Sequence, residues 1–284
     1  MKMNPILAID GYKVSHRVQY PQGTHRVYSN FTPRSDRFFS SPVADGKLVF
    51  SSRLFADTAL SSDELLYKIV NMLALYGAEP QQITAVIFSS VVPALTPRLR
   101  EALRKMCECQ IMEVGPGLKS GVRIRMDNPA QLGGELLCAI VGALQRCTPP
   151  CVVVNFDTAT TLLAVDSTGA LVGGSILPGP QCSLSALVRN TAQLPQVELE
   201  ARPRRLLGAN TADCLHSGIV YGTAAMLDGM VVQIRSALGA PDAPVVATGT
   251  LPDSVRTACA TDIVYRETLV LEGLYWIWKK NTRK

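Results

Sequence analysis

The sequence predicts an α/β fold built twice in one chain. Two observations carry this. Apolar, strand-like segments alternate with amphipathic helical ones, and the pattern restarts near the middle. Pro5-Ile6-Leu7-Ala8-Ile9-Asp10 opens the first half, and Cys151-Val152-Val153-Val154-Asn155-Phe156 opens the second. In open sheets of this kind ligands sit at the carboxyl ends of the strands. The informative residues are therefore expected just after Asp10, after Phe156 and after the strands beside them.

The remaining elements follow in chain order. Ser61-Ser62-Asp63-Glu64 is a helix start, and Leu65, Leu66, Ile69, Val70, Leu73 and Tyr76 recur at helical spacing before Gly77. Ala85-Val86-Ile87-Phe88 reads as a buried strand. Thr96-Pro97 begins a second helix with Leu99, Leu103 and Met106 on one face. Residues 110–114 form a short strand, GPGLKSG at 115–121 a glycine-rich loop, and residues 129–145 a third helix. In the second half, strands at 162–165 and 171–176 flank the turn Asp166-Ser167-Thr168-Gly169. Helices are expected over 183–192 and 210–237, a strand over 245–247 and a last helix over 271–280. The chain divides into an opening segment (1–45), a first half (46–147) and a second half (148–284).

Composition narrows the function classes. Hydrophobic residues are 47% and charged residues 18% of the 284, which fits a folded chain with a large core. No window reads as a membrane span and the N-terminus carries no apolar signal core, so a cytoplasmic protein with no membrane partner is expected. The eight cysteines sit in apolar surroundings and read as buried thiols; Cys107 and Cys109 lack a second pair at zinc spacing. Charge is uneven. Residues 1–53 hold 8 Lys/Arg against 3 Asp, a net of +5, whereas residues 54–284 hold 20 of each sign. The first 53 residues also hold 7 of the 17 aromatics. No groove-reading motif accompanies this basic, aromatic stretch, so nucleic acid is not expected as a partner.

Residues 46–284 resemble type III pantothenate kinase, of the acetate kinase, Hsp70 and actin superfamily. The resemblance rests on SSVVPALTPRLREAL, VGPGLKSGVRI, MDNPAQLGGELL, TATTLLAVD, GALVGGSILPG, LVRNTAQLPQVELE, GANTADCLHSGIVYG and LEGLYWIWKKN, in that order. It implies duplicated RNase H-like halves and ATP-dependent phosphorylation of pantothenate, the first step of coenzyme A synthesis. It also implies a homodimer, Mg²⁺ and a monovalent cation, K⁺ or NH₄⁺.

It assigns residues as well. Glu135 matches the position of the catalytic base. Asp10 and Gly11, Thr158 and Thr160, Gly174 and Gly249 match positions around ATP, with Asp10 near Mg²⁺ and Asn155 at the monovalent-cation position. Gly115, Gly117, Lys119, Gly133, Gly134, Leu136 and Thr211 match positions around pantothenate. The residue chemistry agrees: a glycine loop offers free amides to a carboxylate with Lys119 as charge partner, and amides and a hydroxyl at a helix start suit either capping or an anion.

The chain departs from the pattern at five places. Glu135 stands where the family has Asp, Asn155 where it has Asp, and Asp157 and Thr250 where it has Gly. The Gly-Asn-Thr turn expected after Asp10 is missing. Instead NPILAIDGYKVSHRVQYPQGTHRVYSNFTPRSDR, residues 4–37, resembles the N-terminus of nicotinamide phosphoribosyltransferase, through D-x-YK-x-x-H, QYP-x-GT and VYSNF. Three readings stay open: a kinase of reduced activity, a non-catalytic dimeric binding or regulatory protein on the same fold, and a chimera without a competent ATP site.

Overall fold

A computed structural model describes residues 6–10, 15–16, 39–40, 43–44, 47–48, 59–90 and 92–282. Two compact units emerge. Unit 1 comprises Met1–Gly121, Ala130–Gly142 and Thr268–Lys284; unit 2 comprises Val122–Pro129 and Ala143–Glu267.

Unit 1 is built on a parallel sheet of β1 (Ile6–Asp10), β6 (Ala85–Ser89) and β7 (Gln110–Glu113), in that order. Two-residue strands β2 (Ser15–His16), β3 (Phe39–Ser40), β4 (Val43–Ala44) and β5 (Lys47–Leu48) pair as β2–β3 and β4–β5. Every residue of β6 is buried, as its unbroken apolar run requires in a central parallel strand. Helices α1 (Ser62–Leu75) and α2 (Thr96–Met106) bring Leu65, Ile69, Leu73, Leu99 and Leu103 into one core with Phe88. The start of α1 is set by a capping box: the Ser61 amide donates to Glu64 Oε2 at 2.8 Å and the Glu64 amide to Ser61 Oγ at 3.3 Å.

Helices α3 (Gly134–Ala143) and α7 (Leu269–Thr282) cross at backbone contact. A Cβ on Gly142 would overlap the Leu269 carbonyl, and one on Gly273 would overlap the Cys138 carbonyl. The two glycines thus let each helix seat against the other's main chain. The continuous helix expected over 129–145 is broken instead. A 3₁₀ turn at Pro129–Gln131 precedes α3, because Gly133-Gly134 is a poor helix interior.

Unit 2 is a five-stranded sheet in the order β10 (Leu171–Pro178), β9 (Ala159–Val165), β8 (Cys151–Phe156), β11 (Val245–Gly249), β12 (Ile263–Tyr265). The first three strands are antiparallel and β8, β11 and β12 are parallel. The turn between β9 and β10 is the expected one. Asp166 Oδ1 accepts from the Thr168 amide at 2.8 Å and the Ala170 amide at 3.0 Å, and Gly169 takes φ +76°. These bonds, with that from the Thr168 hydroxyl foremost, hold the Asp166 carboxyl below its ordinary pKa. Val152, Val154 and Phe156 face a core completed by Leu215, Ile219, Val220, Leu227 and Val231 of α5 (Thr211–Ala237). That helix is long and apolar enough to cross a membrane by composition, yet one side of it lies in this core. Helices α4 (Pro180–Arg189) and α6 (Asp253–Ala258) complete the unit.

The units differ from the boundaries read in the sequence. Helix α7 follows unit 2 in the chain but belongs to unit 1, through its glycine crossing with α3. Residues 122–129 join unit 2 because the Arg125 amide donates to the Leu171 carbonyl at 2.8 Å and the Leu171 amide to the Arg123 carbonyl at 2.9 Å. The opening segment beyond β1 falls largely outside the described residues. The cysteines depart from expectation too. Cys138 and Cys151 are buried thiols, but Cys182 and Cys214 are exposed, and Cys107 and Cys109 bring their sulfur atoms together across one residue, their Cα atoms 5.3 Å apart.

Candidate active site

In unit 1 the carboxyl ends of three parallel strands form one edge. Asp10 ends β1 in register with Ser89, which ends β6. Val114, just past β7, donates its amide to the Phe88 carbonyl at 2.7 Å. Helix α3 begins at this edge: a Cβ on Gly134 would lie 2.6 Å from Ser89 Oγ and 3.3 Å from Val114 Cγ1. Only glycine lets the helix start so close to the strand ends. Glu135, the next residue, is 6% exposed, a buried carboxylate in the first turn, where the helix dipole favours the anion. Gly133 supplies the carbonyl that accepts the Leu137 amide, and Leu136 is half-buried. Gly11 lies outside the described residues.

Ser89 is the residue that sequence reasoning missed. It is fully buried and its hydroxyl has no hydrogen-bond partner. An orphaned hydroxyl at a strand end beneath a helix start is suited to a ligand's polar atom. The signal was available: Ser89 closes an otherwise apolar strand, at the end where ligands gather.

The loop Gly115, Gly117, Lys119 leads away from the same edge. Gly117 has φ +98° with open space around it, so its glycine answers to backbone conformation and not to crowding. The loop is clamped to α7: the Lys119 amide donates to Asn281 Oδ1 at 3.0 Å, and Asn281 Nδ2 donates to the Lys119 carbonyl at 3.1 Å. The Lys119 side chain is left exposed to act as a free charge.

Unit 2 gathers a second set at the carboxyl ends of β8 and β11. Asn155 is in register with Thr161 and Thr248, and Phe156 with Thr160 and Gly249. Asn155 is 4% exposed, and Thr160 is fully buried with an unpartnered hydroxyl. Thr158 is exposed in the turn, and its carbonyl accepts the Gly179 amide at 2.9 Å. Asp157 Oδ2 is buried with no hydrogen-bond partner, a carboxylate oxygen at the turn where the resemblance expects phosphate. Gly249 takes φ +93° where a Cβ would overlap the Phe156 carbonyl; its own carbonyl accepts from the Tyr265 hydroxyl at 2.6 Å.

Two assigned residues stand apart from that group. Gly174 pairs with Leu163, whereas the turn end of the same ladder pairs Pro178 with Ala159. Four residues of strand, about 13 Å, separate Gly174 from the turn. There it lets β10 approach the Leu162 carbonyl, which a Cβ would meet at 2.6 Å. Thr211 is the first residue of α5 and exposed; the cap is Asn210, whose Oδ1 accepts the Asp213 amide at 2.9 Å. Capping is thus done by Asn210, which leaves the Thr211 hydroxyl unused by the cap.

Comparison with known proteins decides the family. The sequence model of type III pantothenate kinase matches residues 41–233. A type III pantothenate kinase of Myxococcus xanthus is 37% identical over 229 residues, 81% of this chain and 89% of that protein. The chain belongs to the type III pantothenate kinase family. The Halalkalibacterium halodurans type III pantothenate kinase is 34% identical over 237 residues, 84% of this chain and 92% of that one. Among solved structures, a putative 2-dehydro-3-deoxygalactonokinase of Sinorhizobium meliloti superposes with TM-score 0.55 at 12% identity, covering 97% of this chain and 98% of that one. The fold is therefore the duplicated RNase H-like α/β one that this structure shares. As a type III pantothenate kinase family member, the chain has a buried carboxylate at Glu135 and an oxygen-rich strand end around Asn155 and Asp157.

Proposed function

We propose that the chain phosphorylates pantothenate with ATP to give 4′-phosphopantothenate, the entry into coenzyme A synthesis, and does so in the cytoplasm. The observation that carries this reading is family membership over most of the chain, with Glu135 buried at the start of α3. In the proposed reaction Glu135 accepts the proton of the pantothenate primary hydroxyl as that oxygen attacks the γ-phosphorus in line. Gly134 lets the helix start close to the strand ends, Gly133 belongs to the substrate set by resemblance, and the Gly115–Gly121 loop with Lys119 receives the carboxylate. Thr211 belongs to the same substrate set by resemblance.

The residues present suit the groups this reaction uses. Thr158 is exposed to donate to a phosphate oxygen, and Asp10 offers the carboxylate donor that Mg²⁺ takes. Mg²⁺ supplies neutralisation of the phosphate charge when bound. Asn155 and Asp157, two residues apart along β8 and its turn, offer oxygen atoms where the resemblance expects the monovalent cation, with the neutral Asn155 a weaker ligand than the family's Asp. A coupled assay for pantothenate-dependent ADP formation tests the proposal: ADP release that requires pantothenate supports it, and none at substrate saturation counts against it.

Asp157 also favours a second reading, a nucleotide-binding relative with little turnover. An uncompensated carboxylate at a phosphate turn repels the ligand. Asp157→Gly is expected to tighten ATP binding by about tenfold, or ~1.4 kcal/mol. Titration calorimetry that finds equal affinity in both chains would clear Asp157 of this effect.

A homodimer forms part of the proposal. The side of α5 away from the core is lined by Gly218, Gly222, Ala225 and Gly229, all exposed, and a Cβ on any of the three glycines would meet nothing within 4 Å. Such a flat face suits close packing against a second helix. Light scattering at micromolar concentration should give twice the 30.6 kDa chain mass; a monomer there would refute the dimer.

A further inference from the structure

The geometry points to an anion site in unit 2 that takes a phosphoryl group, formed where Arg202, Arg204 and Arg205 line a cavity of about 220 Å³ with Asp213 and His216. It adjoins Thr211 at the start of α5, but none of the residues that line it is among those assigned to ATP, pantothenate or catalysis.

The loop that carries the arginines is held against α5 and its neighbour at separate points. Ser254 Oγ donates to the Leu199 carbonyl. His216 Nε2 lies 2.9 Å from the Ala201 carbonyl, and since a carbonyl can only accept, Nε2 carries the hydrogen. Ser217 Oγ donates to the Leu206 carbonyl. Gly208 closes the loop so tightly on α5 that a Cβ would overlap the Cys214 amide. The main chain of 199–208 is therefore built into the unit, while the three arginines on it are exposed. None of their guanidinium groups makes an ion pair or hydrogen bond with any described residue.

Charge selects the ligand. Three guanidinium groups face one carboxylate, Asp213, which accepts from Asn210 Nδ2 at 2.9 Å. The surplus of two positive charges matches a phosphate monoester, which carries about −1.5 to −2 at neutral pH, better than a single carboxylate. The planar guanidinium fork also fits paired phosphate oxygens. The α5 N-terminus adds partial positive charge on the same side.

The test is direct binding to the full chain, with no turnover involved, so it can fail or succeed whatever the kinase assay shows. Inorganic phosphate, 4′-phosphopantothenate and pantothenate are titrated calorimetrically into the unaltered protein, Arg204→Gln, Arg205→Gln, the triple Arg202→Gln/Arg204→Gln/Arg205→Gln, and Arg189→Gln as a control. Each single substitution should raise the Kd for the phosphoryl ligand about tenfold and the triple at least about 100-fold, with affinity falling as salt rises. Arg189→Gln should leave it unchanged. Tighter binding of 4′-phosphopantothenate than of inorganic phosphate would make this a metabolite site, and equal binding a bare phosphate site. Unchanged phosphoryl affinity in the triple variant would overturn the proposal, as would pantothenate binding through the same arginines as tightly as phosphate.

Discussion

Glu135→Gln should abolish pantothenate-dependent ADP formation, a fall of about 10²–10⁴-fold, the range general-base catalysis supplies. The amide keeps the size of the side chain, so the buried position stays filled. What is lost is the lone pair that takes the hydroxyl proton. The companion change runs the other way. Glu135 is the second residue of α3, and the helix start is set by the packing of Gly134 on Ser89. The extra methylene therefore moves the carboxylate and not the backbone. Glu135→Asp restores the family's length and should raise the rate about 10–100-fold, the scale of a 1 Å correction. If the unmodified chain is too slow to measure, the pair is compared in a variant whose residues 11–42 are replaced by a Gly-Asn-Thr turn. Full activity in Glu135→Gln would show that another group is the base.

Gly273→Ala should cost unit 1 about 3 kcal/mol, at the upper end of overpacking effects. The added methyl would overlap the Cys138 carbonyl, a backbone atom within α3 that cannot rotate away. Relief requires α7 to move off α3, which also disturbs the helix that carries Glu135. Gly173→Ala is the control: it stands in β10, and a methyl there meets nothing within 4 Å. Urea denaturation should show a large drop for the first substitution and none for the second. A loss below about 0.5 kcal/mol in Gly273→Ala, the range of neutral surface changes, would show that the helices do not need this crossing.

Much of the fold was legible in the sequence. CVVVNF announced a core strand because a strand buried on both faces has no polar side to interrupt it, and PILAID announced the strand that pairs with β6. Asp166-Ser167-Thr168-Gly169 announced its turn because one carboxylate satisfies neighbouring amides and glycine supplies the positive φ. Ser61 and Glu64 marked a helix start through bonds that span three residues. Glu135, Thr158 and Asn155 could be singled out because ordered motifs keep their spacing. All of these depend on interactions between near neighbours in the chain, or on a pattern repeated along it.

The tertiary structure alone decided the rest, because its contacts join residues far apart in the chain. Nothing local in the sequence pairs Asn281 with Lys119, 162 residues earlier, or makes Gly273 the seat of Cys138. Nothing local places α7 in unit 1 or shows that Ser89 is left without a partner. Gly174 carries a glycine that the motif assigns to ATP, yet its absent Cβ is accounted for by the Leu162 carbonyl of the neighbouring strand. Nothing local marks the three arginines at 202, 204 and 205 as a site; His216, Ser217 and Ser254 hold their loop in place around a cavity. A sequence determines which residues can donate, accept, bend or fill. Which of them meet is decided by packing, because a glycine's value depends on what lies where its Cβ would be, and a charge's on what stands opposite.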